Sequence, residues 1–297
     1  MRRAVRVACV LLLFFGFTIS SGAQQAAAPT AAPAAGSFTI LLTNDDGYDA
    51  PGLKAMIEAF RSAGDLYVAA PAVEQSGKGH SIITTREPIF VNERKQPNGF
   101  TWYAVEAPPA TCARLAIEAL LPRRPDIVIS GINRGDNLGI ASIYLSGTVG
   151  AAQEAAMVGI PAIAVSMQGN KDEDYAATAA YMRELVEQLR EGNLLKPGLF
   201  LNVNAPSGER KGVLLTRLSS KPSKEKFERR ESPSRRIYYW SAYRPPERGD
   251  VNEEGTDTWA FLHGYVSVTP MVLDVTDIKA IAGLRALEKQ TAETAPK

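Results

Sequence analysis

The chain has 297 residues, of which 45 % are hydrophobic and 22 % charged, with a formal net charge of +1. That length is within reach of one sizeable α/β domain, and no bulk basic charge calls for nucleic acid as a partner. Two cysteines and two histidines in all leave too little thiolate and imidazole for a zinc site.

In chain order, residues 1–23 read as a secretory signal peptide. Arg2, Arg3 and Arg6 form a positive start, Ala8 to Ile19 an apolar core short for a membrane span, and Ser21-Gly22-Ala23 a small-residue cleavage site. A short membrane anchor is the alternative; Cys9, in the middle of the apolar core, does not suit a lipoprotein. Residues 24–36, rich in Ala, Pro and Gln, read as an unfolded tether. The α/β domain is expected over 37–297, with a β-rich arm from about residue 213. Cleavage would remove three arginines and no acid, bringing the net charge to about −2. It would also leave Cys112 as the single cysteine, so the exported protein would have no internal disulfide.

The first element of the domain, Thr39-Ile40-Leu41-Leu42-Thr43, reads as a buried strand and runs straight into Asn44-Asp45-Asp46-Gly47. Adjacent aspartates repel, so keeping both ionised is costly unless a cation sits beside them. Leu53 to Phe60 has helical spacing, and strand, acidic turn, helix is the opening of a fold whose ligands bind outside the carboxyl ends of the strands. Asp65 to Pro71 is a second strand. It empties into a polar loop over Ala72 to Ser81, containing Ser76, which can offer hydroxyls and backbone N–H groups to an anion or metal, or serve as a plain surface connection. Ile89-Phe90-Val91 and Thr101 to Val105 suggest a hairpin around Pro97-Asn98-Gly99, and Thr111 to Leu121 a helix ended by Pro122.

Pro125 to Gly139 carries an apolar run into a loop of Gly, Asn and Asp, in which Asn133 suits a hard cation or, alone, turn chemistry. Ser146-Gly147-Thr148 precede an Ala-rich helix over Val149 to Met157. That is an anion site if a ligand is present and an N-cap in any case. Ile160 to Ser166 and Phe200 to Pro206 read as strands, and Tyr175 to Arg190 as an amphipathic helix. The alternation predicts a mostly parallel sheet with helices on both faces. After Val213 it stops. Leu214 to Leu218 and Arg236 to Tyr243 read as long strands separated by a basic stretch, Thr256 to Leu262 and Gly264 to Pro270 as strand-like pieces, and Asp277 to Leu287 as a closing helix.

Four strand ends thus present polar groups: Asp45 and Asp46, Ser76, Asn133, and Ser146 with Thr148. All-oxygen ligands favour Mg²⁺ or Mn²⁺. A divalent ion beside hydroxyls at a helix N-terminus suits phosphate-ester hydrolysis by water.

These motifs resemble the SurE family of 5′/3′-nucleotidases. The residues carrying the resemblance are Thr43 to Gly47, Ala70-Pro71 through Gln75-Ser76-Gly77, Val128 to Gly135, Ser146 to Val149, Leu201 to Asn204, and Thr256-Asp257 through Gly264 to Pro270. They run in the family order over nearly all of the chain after residue 37. The resemblance implies a Rossmann-like α/β core, a divalent cation held by Asp45, Asp46, Ser76 and Asn133, and catalysis by Asp45, Asp46 and Asn133. It implies a substrate site at Asn44, Ser146, Gly147 and Thr148, and a homodimer or homotetramer held partly by exchanged C-terminal elements. The expected activity is hydrolysis of nucleoside 5′-monophosphates, with 3′-monophosphates as a second class.

Three departures from the family pattern stand out. Glu106-Ala107-Pro108-Pro109-Ala110-Thr111-Cys112 replaces the usual Gly-Thr-Pro turn and Asp-Cys pair; the stretch between Gly139 and Ser146 is one residue longer and lacks the usual acids; and family members are commonly cytoplasmic, whereas this chain begins with a signal sequence. An exported, non-catalytic nucleotide or phosphate receptor is the alternative, favoured mildly by the Ala107-Pro108 turn and opposed by the intact ligand set. A covalent aspartyl-phosphate would usually need a second acid two positions after Asp45, where Gly47 stands. A dinucleotide oxidoreductase would need a Gly-x-Gly-x-x-Gly after the first strand, which is lacking.

Overall fold

The computed structural model describes residues 37–95, 101–169, 174–220, 226–242, 247 and 253–288. The stretches read as a signal peptide and a tether, and the turn expected at Pro97-Asn98-Gly99, lie outside the described residues. The strands are β1 (Thr39–Thr43), β2 (Asp65–Pro71), β3 (Val91–Lys95), β4 (Thr101–Val105), β5 (Ile127–Arg134), β6 (Ala162–Met167), β7 (Phe200–Ala205), β8 (Val213–Leu215), β9 (Lys226–Glu231), β10 (Ile237–Ala242) and β11 (Val266–Pro270). The helices are α1 (Pro51–Phe60), α2 (Pro109–Leu115, continued as a π-helix over Ala116–Leu120), α3 (Gly139–Leu145), α4 (Gly147–Met157), α5 (Tyr175–Glu191), α6 (Asp257–Leu262) and α7 (Ile278–Leu284).

One nine-stranded sheet runs in the order β3-β4-β2-β1-β5-β6-β7-β11-β8. Its centre is parallel, and only β3 on β4 and β11 on β7 run antiparallel. Pairing grows outward from β1 through β2, then returns to β5 on the other side of β1. The strand order therefore reverses between β1 and β5, where α/β sheets open a crevice for ligands.

The period of two along each strand divides the core. Ile40 and Leu42 of β1 pack with Leu53, Met56 and Phe60 of α1 and Met182 and Val186 of α5. Leu41 points to the other face, against Ala116, Ile117, Val149, Ala152 and Ala155 of α2 and α4. The small side chains of α4 let that helix lie close to the sheet.

Five readings need correcting. Thr256 to Leu262 is not a strand: Thr256 Oγ1 accepts the Trp259 N–H at 3.3 Å and starts α6. Leu214 to Leu218 shortens to a three-residue strand, and the described part of the basic stretch is itself β9, paired antiparallel with β10. The strand before the 97–99 turn begins only at Val91, and α3 occupies a stretch for which no element was expected. The β9–β10 hairpin stands apart from the main sheet with Phe227, Tyr239 and Trp240 more than half exposed, and α7 buries none of its residues.

Candidate metal and phosphate site

The side-by-side aspartates at the end of β1 are the hub of the candidate site, and three other loops are each fastened to them. The Asp45 carbonyl accepts the Gln75 N–H at 2.8 Å, drawing in the loop that carries Ser76. Asp46 Oδ2 accepts the Arg134 N–H at 3.1 Å, drawing in the end of β5 that carries Asn133. Thr148 Oγ1 donates to Asp45 Oδ1, drawing in the first turn of α4. Gly47 turns the chain away at φ +104, a conformation that favours glycine.

Gly147 packs directly on Asp45. A Cβ built there would meet Asp45 Cβ at 2.8 Å, Asp45 Oδ2 at 3.0 Å and Pro109 Cγ at 3.0 Å. The Ala107-Pro108 turn thus leads into the wall beside Ser146-Gly147-Thr148, since Pro108 precedes α2 and Pro109, its first residue, stands against Gly147.

Each predicted residue has a definite place. Asp45 is buried and Asp46 is half-buried. Asn133 is also buried; its Nδ2 donates to the Gly135 carbonyl at 2.8 Å, so its Oδ1 is the atom left for a cation. Ser76 is exposed. Ser146 caps α4, its Oγ accepting the Val149 N–H at 3.1 Å; its own O–H is then available to donate. Thr148 differs from expectation in that its hydroxyl is already engaged by Asp45. Asn44, read as a substrate contact, is fully buried within its own turn, Nδ2 donating to the Gly47 carbonyl at 2.8 Å and Oδ1 left without a partner among the described residues.

The electrostatics suit a divalent cation. Burial raises the Asp45 carboxyl above its ordinary range, against the pull of the Thr148 hydroxyl. Burial, then the neighbouring charge of Asp45, push Asp46 up to about 7, and Glu74 adds to the repulsion. Sequence reasoning passed over Glu74, although its place in the same loop as Ser76 was the signal to weigh it. Among the described residues no three His, Cys, Asp or Glu side chains gather for a metal. A cation here would rest on two carboxylates plus amide and hydroxyl oxygen, a donor set for a hard ion. The site's residues fit that ion.

A separate cavity of about 470 Å³ is bordered by Ile143, Tyr144, Phe200, Arg217, Met271 and Val275 among others. None of the predicted ligands lines it, so it is not the candidate site.

Comparison with known proteins agrees with the motif reading. A family model described as survival protein SurE matches residues 40–225. The 5′-nucleotidase SurE of Pelotomaculum thermopropionicum is 42 % identical over 251 residues, spanning 84 % of this chain and 95 % of that protein. The 5′-nucleotidase SurE of Desulfitobacterium hafniense is 44 % identical over 250 residues, 83 % of this chain and 95 % of its own. 5′-Nucleotidase SurE 1 of Thermus thermophilus is 42 % identical over 252 residues, 82 % of this chain and 97 % of its own. The crystal structure of the SurE protein from Aquifex aeolicus superimposes with a TM-score of 0.72 at 39 % identity, covering 84 % of this chain and all of that one.

Proposed function

This chain belongs to the SurE family, and from that premise we propose that it is a metal-dependent phosphomonoesterase. It hydrolyses nucleoside 5′-monophosphates to nucleoside and phosphate, with 3′-monophosphates as a second ester class. The observation that carries the reading is the fastening of three loops to Asp45 and Asp46, which brings the Ser76 loop, the Asn133 strand end and the phosphate turn to one place. The relatives' names are those of an enzyme, and the receptor alternative gains nothing from them.

Asp45, Asp46, Ser76 and Asn133 would hold Mg²⁺ or Mn²⁺. When bound, such an ion polarises the phosphoryl oxygens and lowers the pKa of water for attack at phosphorus. The chain's own residues do the rest. Ser146 Oγ–H and the Gly147 N–H at the start of α4 orient the phosphoryl oxygens, where the helix N-terminus favours negative charge. Thr148 holds Asp45 in a single orientation through its hydroxyl. Arg134 N–H occupies Asp46 Oδ2, which would leave Oδ1 for the cation. Gly47 stands where an aspartyl-phosphate route would place its second acid, which leaves direct attack by water.

Phosphate release from a panel of nucleoside 5′- and 3′-monophosphates tests this, run with Mn²⁺, with Mg²⁺ and with chelator, beside Asp46→Ala. Metal-dependent release that vanishes in the variant is expected. Tight nucleotide binding without release would restore the receptor reading.

Two further parts of the reading stand on other features. A homodimer or homotetramer is proposed from the apolar side chains left open on the β9–β10 hairpin and on α7, Trp240 and Ile281 among them; light scattering of the purified chain decides it. Export is proposed from residues 1–23. No helix of the described residues is long and apolar enough to cross a membrane. N-terminal sequencing of the protein recovered outside the cytoplasm would find a start near Gln24.

A further inference from the structure

Glu154 lies in the middle of α4 and is only 3 % exposed, a rare place for a carboxylate unless it is paired. Its two oxygens are divided between two elements. His80 Nε2 donates to Oε2 at 2.5 Å from the loop that carries Ser76, and Arg114 Nε donates to Oε1 from α2. Burial alone would raise the Glu154 carboxyl, but these two donors outweigh it and hold it below its ordinary value.

The backbone beside this cluster is also held close. A Cβ on Gly150 would lie 2.4 Å from the Gly79 carbonyl oxygen and 3.0 Å from His80 Cα. The Gly79 N–H donates to the Leu145 carbonyl at 2.9 Å. The loop is therefore anchored on both sides: at Gln75 on Asp45, and at Gly79 and His80 on the end of α3 and on α4. Between those anchors lie only Ser76, Gly77 and Lys78. Among the described residues the Ser76 side chain makes no hydrogen bond, and a Cβ on Gly77 would touch nothing within 4 Å. Within that span the Lys78 N–H returns to the Gln75 carbonyl at 3.3 Å, closing a turn over Ser76 and Gly77, so where this turn stands in the site depends on its two anchors.

We propose that His80 is a positioning residue for the cation site, setting Ser76 relative to the phosphate turn through its bond to Glu154. Arg114 keeps Glu154 satisfied and packs α2 alongside the same helix. The inference rests on the cation reading above and adds to it a residue that touches neither ion nor substrate.

The test compares His80→Phe, which fills the space without a donor, with His80→Gln, which keeps an N–H for Glu154. Mn²⁺ affinity is measured by calorimetry without substrate, Tm in chelator, and KM and kcat with a nucleoside monophosphate. The Phe variant should bind Mn²⁺ on the order of tenfold more weakly, as loss of a group supporting metal ligands commonly does. Its Tm in chelator should fall by only a few degrees, since Arg114 still pairs Glu154, and the Gln variant should recover most of the affinity. Unchanged Mn²⁺ affinity in a folded His80→Phe, or equal loss in both variants, would overturn the proposal. Failure of the unmodified chain to bind Mn²⁺ would instead overturn the cation reading from which it starts.

Discussion

Gly147 and Asp45 are in contact across the candidate site, with no room between them for a single methyl group: a Cβ on Gly147 would stand 2.8 Å from the Asp45 Cβ. Because the crowded atom is at the root of the Asp45 side chain, rotation cannot relieve the overlap. Gly147→Ala is expected to push the phosphate turn and the carboxylate apart, lowering kcat/KM on the order of a hundredfold, the usual cost of a displacement near 1 Å. Stability should fall by only about 1–3 kcal/mol. Steady-state kinetics beside urea unfolding decide it; a fully active Gly147→Ala enzyme would show that the two sides of the site need not touch.

Thr148 and Ser146 are neighbours with separate duties. Thr148→Val keeps the shape and removes the hydroxyl from Asp45 Oδ1. The expected result is weaker Mn²⁺ binding, by roughly tenfold, and a further rise in the Asp45 carboxyl. Ser146→Ala should leave Mn²⁺ affinity nearly unchanged while raising KM, and should cost about 1 kcal/mol from the lost cap on the Val149 N–H. Calorimetric titration of both variants separates the roles; the reverse pattern would exchange them.

Protonation of the aspartates makes metal stabilisation depend on pH. An unfolded aspartate titrates near about 3.9, whereas Asp46 in the folded chain is pushed up to about 7 and Asp45 is raised as well. Between those values the folded chain without metal binds more protons than the unfolded one, so this pair's contribution to stability falls as pH rises through that window. A divalent cation needs the ionised pair and removes the penalty. The gain in Tm on adding Mn²⁺ is therefore expected to grow between about pH 5 and 8, read by thermal melts with Mn²⁺ and with chelator. A gain that is flat or shrinking with pH would contradict the assignment.

Asp257 supports the site's surroundings from a distance in sequence. Its carboxylate accepts the Gly139 N–H at 2.7 Å, the Ser219 N–H at 2.9 Å and the Thr258 N–H at 2.7 Å, joining the start of α3 and the segment after β8 to α6. Asp257→Ala would strand these buried donors, at about 1–3 kcal/mol for each one left unmet. Urea unfolding should show a loss of more than about 3 kcal/mol, with Asp257→Asn intermediate because one carbonyl oxygen remains. A loss below about 1 kcal/mol in Asp257→Ala would mean that water replaces the carboxylate.

Much of this arrangement is legible along the chain. The buried run of β1, the acidic pair, the glycine that turns at φ +104 and the serine cap of α4 are all local signals, each decided by residues within a few positions. The misreading of α6 is instructive for the same reason. Trp259-Ala260-Phe261-Leu262 is an apolar run too short to show a period, and the Thr256 cap before it and Gly264, at φ +88 after it, were the available signals. The basic stretch concealed β9, because an exposed strand paired only with β10 has no buried face to impose alternation on its sequence.

By itself, then, the sequence determined the alternating α/β order, the oxygen-rich character of the candidate site and three of the strand ends that feed it, after β1, β2 and β5; the fourth group, Ser146 to Thr148, lies instead at the junction of α3 and α4. Those follow from local backbone preference and side-chain chemistry. Only the tertiary structure decided that Thr148 serves Asp45, that Gly147 is pressed between Asp45 and Pro109, that Asn44 is spent on its own turn, and that Glu154 joins His80 to Arg114. Each of these except the Asn44 turn joins residues dozens of positions apart, and their distances are set by how α2 and α4 pack on the sheet. No spacing along the chain encodes that packing.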